Sequence, residues 1–284
     1  MSTVARSTVQ SDARSTVESG TRPPESAGRA VPVQHKPIPM TRVMWVELTK
    51  MFDTRSGFWL MASIGIVSLL ATAAVILFAP DDELTYETFA TAIGFPIAVI
   101  LPIIALLSIT SEWSQRTGLT TFTLLPRRSR VINAKLIVSV AVGIVSMFVA
   151  LAIGALGNLV GTAIAGVDTT WNVSLYEFSL IVLANVLGML IGSMLGVLIR
   201  NSAGAIVGYF VFNALLPTLF MTLGNLQEWF RDIWPWIDFS YAQGALFEGS
   251  PTGEEWARLA VTSTFWLILP MAVGLWLIRR SEVK

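Results

Sequence analysis

The sequence predicts an all-α integral membrane protein with six transmembrane helices. Hydrophobic residues make up 54% of the 284-residue chain and charged residues only 13%, about half of the charged share usual in soluble proteins. The apolar residues are also concentrated in long blocks. A helix rises about 1.5 Å per residue, so about 20 consecutive apolar residues can cross the hydrocarbon core of a bilayer. Six blocks of the sequence reach that length.

The first element, residues 1–39, is predicted to be a disordered cytoplasmic tail. It is rich in Ser, Thr, Arg and Pro, and the run ARSTV occurs at 5–9 and again at 13–17. Such a segment cannot bury enough apolar surface to offset the entropy lost on ordering. It also contains no apolar run of the length that a signal peptide needs. We interpret it as a linker in preference to a regulatory element.

The second element, residues 40–57, is predicted to be an amphipathic connecting helix in the inner membrane interface. Its apolar residues recur at helical spacing: Met44, Trp45, Leu48, Met51 and Phe52. Its charged residues fall mainly on the opposite side: Arg42, Glu47, Lys50 and Asp53. We expect Trp45 at the level of the lipid headgroups, just before the chain enters the first span.

The third element, residues 58–284, is predicted to be a six-span transmembrane domain. The spans lie near Phe58–Ala79, Phe89–Thr110, Leu136–Ala165, Phe178–Ile199, Ala203–Leu226 and Leu259–Ile278. The third span is longer than a bilayer requires, so that helix should tilt or project beyond the membrane. None of the six stretches contains Asp, Glu, Lys, Arg or His.

The charges between the spans predict the orientation of the chain. Of the 19 Lys and Arg residues, all but Arg231 and Arg258 lie on the side that holds the N-terminus. Most of the Asp and Glu residues lie on the other side. Because short cytoplasmic segments carry an excess of Lys and Arg, we expect the N-terminus, the 112–135 loop and the C-terminus to be cytoplasmic.

The spans argue against several classes of function. Ion-driven carriers usually bind the coupling ion with carboxylates, His or Lys inside the membrane, and the predicted spans lack these residues. The chain has no HExxH, GxSxG or GxxxxGK[ST] motif and no cysteine. No catalytic, cofactor-binding or metal site is therefore predicted. A transporter of this kind would take its energy from a partner protein.

Glycines within the spans predict close helix packing. The fourth span carries three of them on one face, and the third and fifth spans carry a pair each: Gly188, Gly192, Gly196; Gly157, Gly161; Gly204, Gly208. Small faces let helix backbones approach closely in a membrane. Packing within one subunit is the favoured interpretation. The alternative is a homodimer seam, with the fifth span the expected place for it.

Polar residues and prolines also interrupt the apolar spans. Asn158, Asn185 and Asn213 should face protein or a water-filled path, because an unpartnered amide in lipid is costly. Hydrogen bonding between helices is favoured over contact with a substrate. Four prolines are candidate kink positions, in the second, fifth and sixth spans: Pro96, Pro102, Pro217 and Pro270.

Two loops carry further patterns. The 112–135 loop has its own apolar stretch ended by Pro126, and it is followed by three arginines. Anchoring by positive charge explains the arginines, whereas a docking surface for a soluble partner also explains the apolar stretch and Glu112. The 228–258 segment is rich in aromatic residues, and a short interfacial or re-entrant helix broken at Pro235 is expected there. Membrane anchoring is its default role, with an outer gate as the alternative.

Two stretches of the sequence resemble the ABC-2-type permeases of ABC transporters. The run SEWSQRTGLTTFTLLPRRSRVINAKL (111–136) is similar to the first cytoplasmic loop of that family, which begins at a Glu and ends at Ala-Lys. The matching positions are Glu112, Arg116, Thr117, Pro126, Arg128 or Arg130, Ala134 and Lys135. The run VELTKMFDTRSGFWL (46–60) is similar to the connecting helix of the family, with Glu47 and Lys50 as its Glu-x-x-Lys start. The resemblance covers residues 41–284.

The resemblance implies a permease subunit of an ABC exporter in the bacterial plasma (inner) membrane. Such permeases pair as dimers with two copies of a separate ATPase, which holds the ATP and Mg²⁺, so this chain would bind no cofactor. The 112–135 loop would contain the coupling helix that docks on the ATPase: Glu112, Trp113, Arg116, Thr117, Pro126, Arg127, Arg128 and Arg130. The connecting helix would contribute Trp45, Glu47 and Lys50. The uncharged spans favour an apolar or amphipathic substrate.

Two other classes of function stay open at this point. One is a self-sufficient channel or secondary carrier, against which the missing intramembrane charges count. The other is a non-transporting membrane subunit that senses or scaffolds. A membrane enzyme is the least favoured class, since no catalytic constellation is visible in the sequence.

Overall fold

The computed structural model describes residues 39–114 and 128–280, and these form helices and short connections. The N-terminal tail and residues 115–127 lie outside the described residues. The first five helices are α1 (Met40–Asp53), α2 (Arg55–Phe78), α3 (Tyr86–Ser114), α4 (Arg128–Ala165) and α5 (Leu175–Ile199). A short 3₁₀ helix, Asp81–Glu83, precedes α3.

The remaining helices include two that continue through a π-helical turn. Helix α6 (Ser202–Phe210) passes through the π turn Val211–Leu215 into α7 (Leu216–Leu226). Two short helices follow, α8 (Glu228–Ile237) and α9 (Phe239–Gly244). Helix α10 (Gly253–Ser263) then passes through the π turn Thr264–Ile268 into α11 (Leu269–Arg280).

In the described part of the chain, six helices are long and apolar enough to cross a membrane, as the sequence predicts for a multi-pass membrane protein. They are Gly57–Phe78, Tyr86–Ser114, Arg130–Ala165, Leu175–Ile199, Ser202–Leu226 and Gly253–Ile278. Several start earlier than the apolar stretches do. Helix α5 begins three residues before the predicted span, because Ser174 and Glu177 form a capping box around its first turn. Thr252 and Glu255 cap α10 in the same way.

The connections define two ends of the bundle. We call the end where α3 finishes at Ser114 and α4 starts at Arg128 the loop end, and the opposite one the far end. The link from α5 to α6 lies at the loop end and is only two residues long. Arg200 closes α5 in a left-handed conformation, with φ 54°. Asn201 caps α6 by accepting a hydrogen bond from the backbone N–H of Gly204, at 2.9 Å.

The centre of the bundle is the contact of α3 with α5. The predicted glycine face of α5 packs here, so this stripe serves packing within the subunit. A Cβ at Gly192 would collide with the carbonyl oxygen of Pro102, and one at Gly196 would lie 3.1 Å from the Leu106 carbonyl oxygen. The two backbones therefore approach as closely as glycine permits.

The prolines act differently along the chain. Pro96 and Pro102 lie inside α3 without ending it. Pro217 and Pro270 each lie shortly after a π turn. A proline has no backbone N–H, so it cannot donate to the carbonyl oxygen of the preceding helical turn, and the wider π turn accommodates this missing hydrogen bond. The expected break at Pro235 is wrong, since α8 continues through it to Ile237. The Trp234 indole N–H donates to the Asp238 carboxylate at 3.0 Å, directly beyond the end of this helix.

Candidate functional site: an ionic cluster at the loop end

The loop end contains a buried cluster of four charged side chains from three helices. Glu47 and Lys50 come from α1, Glu112 from the last turn of α3 and Lys135 from the first part of α4. Three of the four are almost inaccessible, with side-chain exposures of 5% for Glu47, 6% for Glu112 and 4% for Lys135. Lys50 is 44% exposed and forms the outer edge of the cluster.

Each lysine in the cluster contacts both carboxylates. The Lys135 Nζ lies 2.5 Å from the Glu47 Oε2 and 3.2 Å from the Glu112 Oε1. The Lys50 Nζ lies 2.9 Å from the Glu47 Oε1 and 3.4 Å from the Glu112 Oε1. Two positive and two negative charges thus alternate around the cluster. The pairing of opposite charges offsets part of the cost of burying them.

The cluster raises the pKa of its outer lysine, Lys50. Burial by itself lowers the pKa of Lys50, but the hydrogen bond to Glu47 and the charges of Glu47 and Glu112 outweigh that effect. The pKa of Lys50 is therefore raised above its usual value of 10.5. Lys50 is a cation at every physiological pH.

A second polar contact joins the end of α3 to the fifth span. The Ser202 hydroxyl, at the start of α6, lies 2.8 Å from the hydroxyls of both Thr110 and Ser114. The Ser202 backbone N–H also donates to the Ser114 hydroxyl at 3.2 Å. The last turn of α3 is thus bonded to α1 and α4 through charges and to α6 through hydroxyls.

The structure brings together only some of the predicted coupling residues. Glu112, Glu47 and Lys50 meet in the cluster. Trp113 packs beside it against an apolar group that contains Ile132 of α4 and Ile278 of α11. Trp45 lies outside the cluster and is 69% exposed, which leaves it available for the predicted membrane contact. Arg130 is half-buried in the first turns of α4, where it also has an interaction partner.

The other predicted loop residues cannot be placed relative to the cluster. Arg116, Thr117, Pro126 and Arg127 lie outside the described residues, as does the apolar stretch of the loop. Arg128 is the first residue of α4, whose side chain is also outside the description. The described chain leaves the cluster two residues after Glu112 and returns to it seven residues before Lys135.

Sequence reasoning misjudged one residue of the cluster and missed others. Glu47 was expected on the polar side of α1, but it is buried against the bundle, where its carboxylate pairs with Lys135 of α4. Lys135 matched the family pattern without being assigned to the site. Thr110, Ser114 and Ser202 were not singled out either, since isolated hydroxyls carry no sequence signal.

The three asparagines have local partners. Asn158 is fully buried and donates from its Nδ2 to the Thr170 carbonyl oxygen at 2.9 Å, which fastens the loop after α4. Asn185 donates to the Ile181 carbonyl oxygen of its own helix at 2.9 Å. Asn213 donates to the Tyr209 hydroxyl at 3.4 Å, also within its own helix, and its side chain is exposed. Within residues 39–114 and 128–280, the hydrogen bonds that these amides donate therefore join no two spans.

Comparison with known proteins assigns no family to this chain. No protein-family model matches it, and no curated protein matches it either.

Proposed function

We propose that this chain is the transmembrane permease subunit of an ABC exporter, driven by a separate cytoplasmic ATPase. In this proposal it lies in the bacterial inner membrane with both ends in the cytoplasm. It pairs with a second permease, and ATP and Mg²⁺ are bound by the ATPase alone. The loop end is then the cytoplasmic end, and the loop between α3 and α4 docks on the ATPase.

The observation that carries the proposal is the ionic cluster. Its four members are among the charged residues through which two separate stretches of the sequence resemble ABC-2 permeases: Glu47, Lys50, Glu112 and Lys135. The two stretches, 46–60 and 111–136, are distant in the sequence, yet their charges form one contact network. The cluster lies at the base of the loop that would receive the ATPase.

The cluster explains how such a loop could move the spans. A buried ion pair that loses one partner leaves a charge without compensation, at a cost of about 3–5 kcal/mol. The three helices are therefore expected to move together rather than to separate. A displacement of the loop by the ATPase would pass to α3 and α4 directly, to α1 through the salt bridges, and to α6 through Ser202.

The fifth span is the proposed seam between two permeases. It is the least buried of the six, since only 11% of its most apolar 18-residue stretch is buried inside the bundle. Its Asn213 is exposed in the π turn, where lipid would offer the amide no hydrogen-bond partner. Contact with a second copy would cover both features.

The test is a pull-down of the tagged full-length chain from native membranes in mild detergent, followed by mass spectrometry. The wild type should recover a soluble P-loop ATPase. Glu112→Gln and Arg116→Ala should recover less of it, while Arg258→Ala, at the far end, should recover as much as the wild type. Size-exclusion chromatography checks that each variant is folded.

Either outcome is informative. Loss of the ATPase in the loop variants alone supports the docking role. Recovery of the permease without any ATPase, repeated after crosslinking, contradicts the proposal and favours a self-sufficient channel or carrier, or a sensing subunit.

A further inference from the structure

A cavity of about 390 Å³ lies at the far end of the bundle, between the first turns of α3 and α5 and the segment after α9. Three carboxylates line it: Glu87 on α3, Glu177 on α5 and Glu248 before α10. The rest of its lining is mostly apolar and includes Phe95, Ala98, Ile181 and Phe247. The volume falls in the range of about 300–1,000 Å³ that is usual for small-molecule sites.

Two of the three carboxylates at the cavity accept hydrogen bonds from neutral groups. The Glu87 Oε2 accepts a hydrogen bond from the Asn172 Nδ2 at 2.9 Å, and the Glu177 Oε2 accepts one from the Ser174 backbone N–H at 2.7 Å. Within residues 39–114 and 128–280, the salt bridges involve none of the three glutamates. The rim of the cavity is therefore negatively charged, whereas the charges of the ionic cluster balance.

A buried amide oxygen without a partner lies beside a second cavity that adjoins the first. A smaller cavity of about 50 Å³ shares Ala90, Gly94 and Ile181 with the larger one and is lined by Asn185. Asn185 is 4% exposed, and its Oδ1 has no hydrogen-bond partner in the described part of the chain. A buried amide oxygen without a partner costs free energy. A ligand or water that donates a hydrogen bond there would remove that cost.

We propose that the two cavities together form a binding site for amphipathic organic cations. The positive group would lie among Glu87, Glu177 and Glu248, where the negative charges attract it. The apolar body would lie against Phe95, Ile181 and Phe247, and a donor at its inner end would reach Asn185. A free metal cation would leave the apolar wall unused, and a neutral apolar molecule would leave the carboxylates unused.

The use of this site for transport rests on the proposed permease function, but binding itself does not. Binding is therefore measured on the purified full-length chain in nanodiscs of zwitterionic lipid, with no ATPase present. The probe is ethidium, a fluorescent aromatic cation with amine donors, followed by fluorescence anisotropy. Empty nanodiscs give the background of partition into lipid, and neutral phenanthridine serves as the competitor without charge.

The variants remove charge without removing local structure. Gln can replace Glu177 in a capping box, so Glu177→Gln combined with Glu248→Gln should stay folded. We expect the double variant to bind ethidium about tenfold more weakly, a change of about 1.4 kcal/mol. Glu228→Gln at the same end, outside the cavity, should bind like the wild type. Asn185→Leu fills the smaller cavity and should also weaken binding.

The proposal is overturned if the wild type does not bind ethidium above the empty-nanodisc background. It is also overturned if the double variant binds like Glu228→Gln, or if phenanthridine competes as well as an unlabelled cation. Undiminished binding to Asn185→Leu would overturn the inner part of the site. A permease that fails to recover an ATPase but shows the charge-dependent binding would refute the transport role alone.

Discussion

Lys135 and Glu47 are 88 residues apart in the sequence, yet the ammonium of one contacts the carboxylate of the other at 2.5 Å. Both side chains are about nineteen-twentieths buried, with 4% and 5% exposure. The pair joins the helix that precedes the first span to the helix that follows the 115–127 loop. It is the shortest of the contacts that hold the ionic cluster together.

Replacing Lys135 with Met should destabilise the protein strongly. Glu47 and Glu112 would stay buried with only the half-exposed Lys50 as a partner, and breaking such a pair costs about 3–5 kcal/mol. Lys50→Met is the matched control, since the Lys50 side chain is 44% exposed and solvent screens its charge, so that its pairs should contribute about 1 kcal/mol or less. The thermal midpoint of unfolding, followed by the fluorescence of the ten tryptophans, measures both changes.

The double variant Glu47→Gln and Lys135→Met provides a second check of the same contact. Because it removes one charge of each sign, it should recover part of the stability that Lys135→Met loses. Strictly additive losses, or equal midpoints for Lys135→Met and Lys50→Met, would show that the buried pair does not stabilise the loop end.

The sequence predicts the spans well because length and hydropathy are local properties. The helix starts were harder to predict from hydropathy, since α5 and α10 begin in polar turns outside the apolar stretches. The capping boxes Ser174–Glu177 and Thr252–Glu255 are the signal that could have located them. The π turns before Pro217 and Pro270 could be expected only as kinks, because their form depends on neighbouring helices.

The site was only half predictable for a related reason. The charges at 47, 50 and 112 were singled out from the family pattern, but the periodicity of α1 placed Glu47 on a polar face. Periodicity within one helix cannot show which other helix covers that face. The contact with Lys135 depends on how α1 and α4 pack, which is a tertiary property.

Gly192→Ala should weaken the contact between α3 and α5. The added methyl would collide with the Pro102 carbonyl oxygen, which is backbone and cannot turn aside. Overpacking of this kind costs about 1–3 kcal/mol. Gly65→Ala is the control, because a Cβ there meets nothing within 4 Å and alanine favours the helix. A lower thermal midpoint for Gly192→Ala alone is the expected result, and equal midpoints would contradict the close contact.

The raised pKa of Lys50 predicts a loss of stability only at high pH. Its favourable interaction is fully present below the unfolded-state value of 10.5 and is lost as the pH rises through the higher folded-state pKa. The difference in thermal midpoint between the wild type and Lys50→Met should therefore be constant from neutral pH to about 10 and shrink above that range. A difference that already shrinks near neutral pH would contradict the raised pKa.

Crosslinking should test the proposed seam on the fifth span. The chain has no cysteine, so single-cysteine variants can be made without first replacing a native cysteine. Phe210→Cys places a thiol one helical turn before Asn213, at a position that is 48% exposed. If two copies meet on this face, a short bifunctional maleimide should convert the variant in native membranes into dimers. Leu70→Cys, which replaces a 64% exposed side chain on α2, should remain monomeric. Equal dimer yields from both positions would place the seam elsewhere, because random collisions in the membrane do not distinguish the two faces.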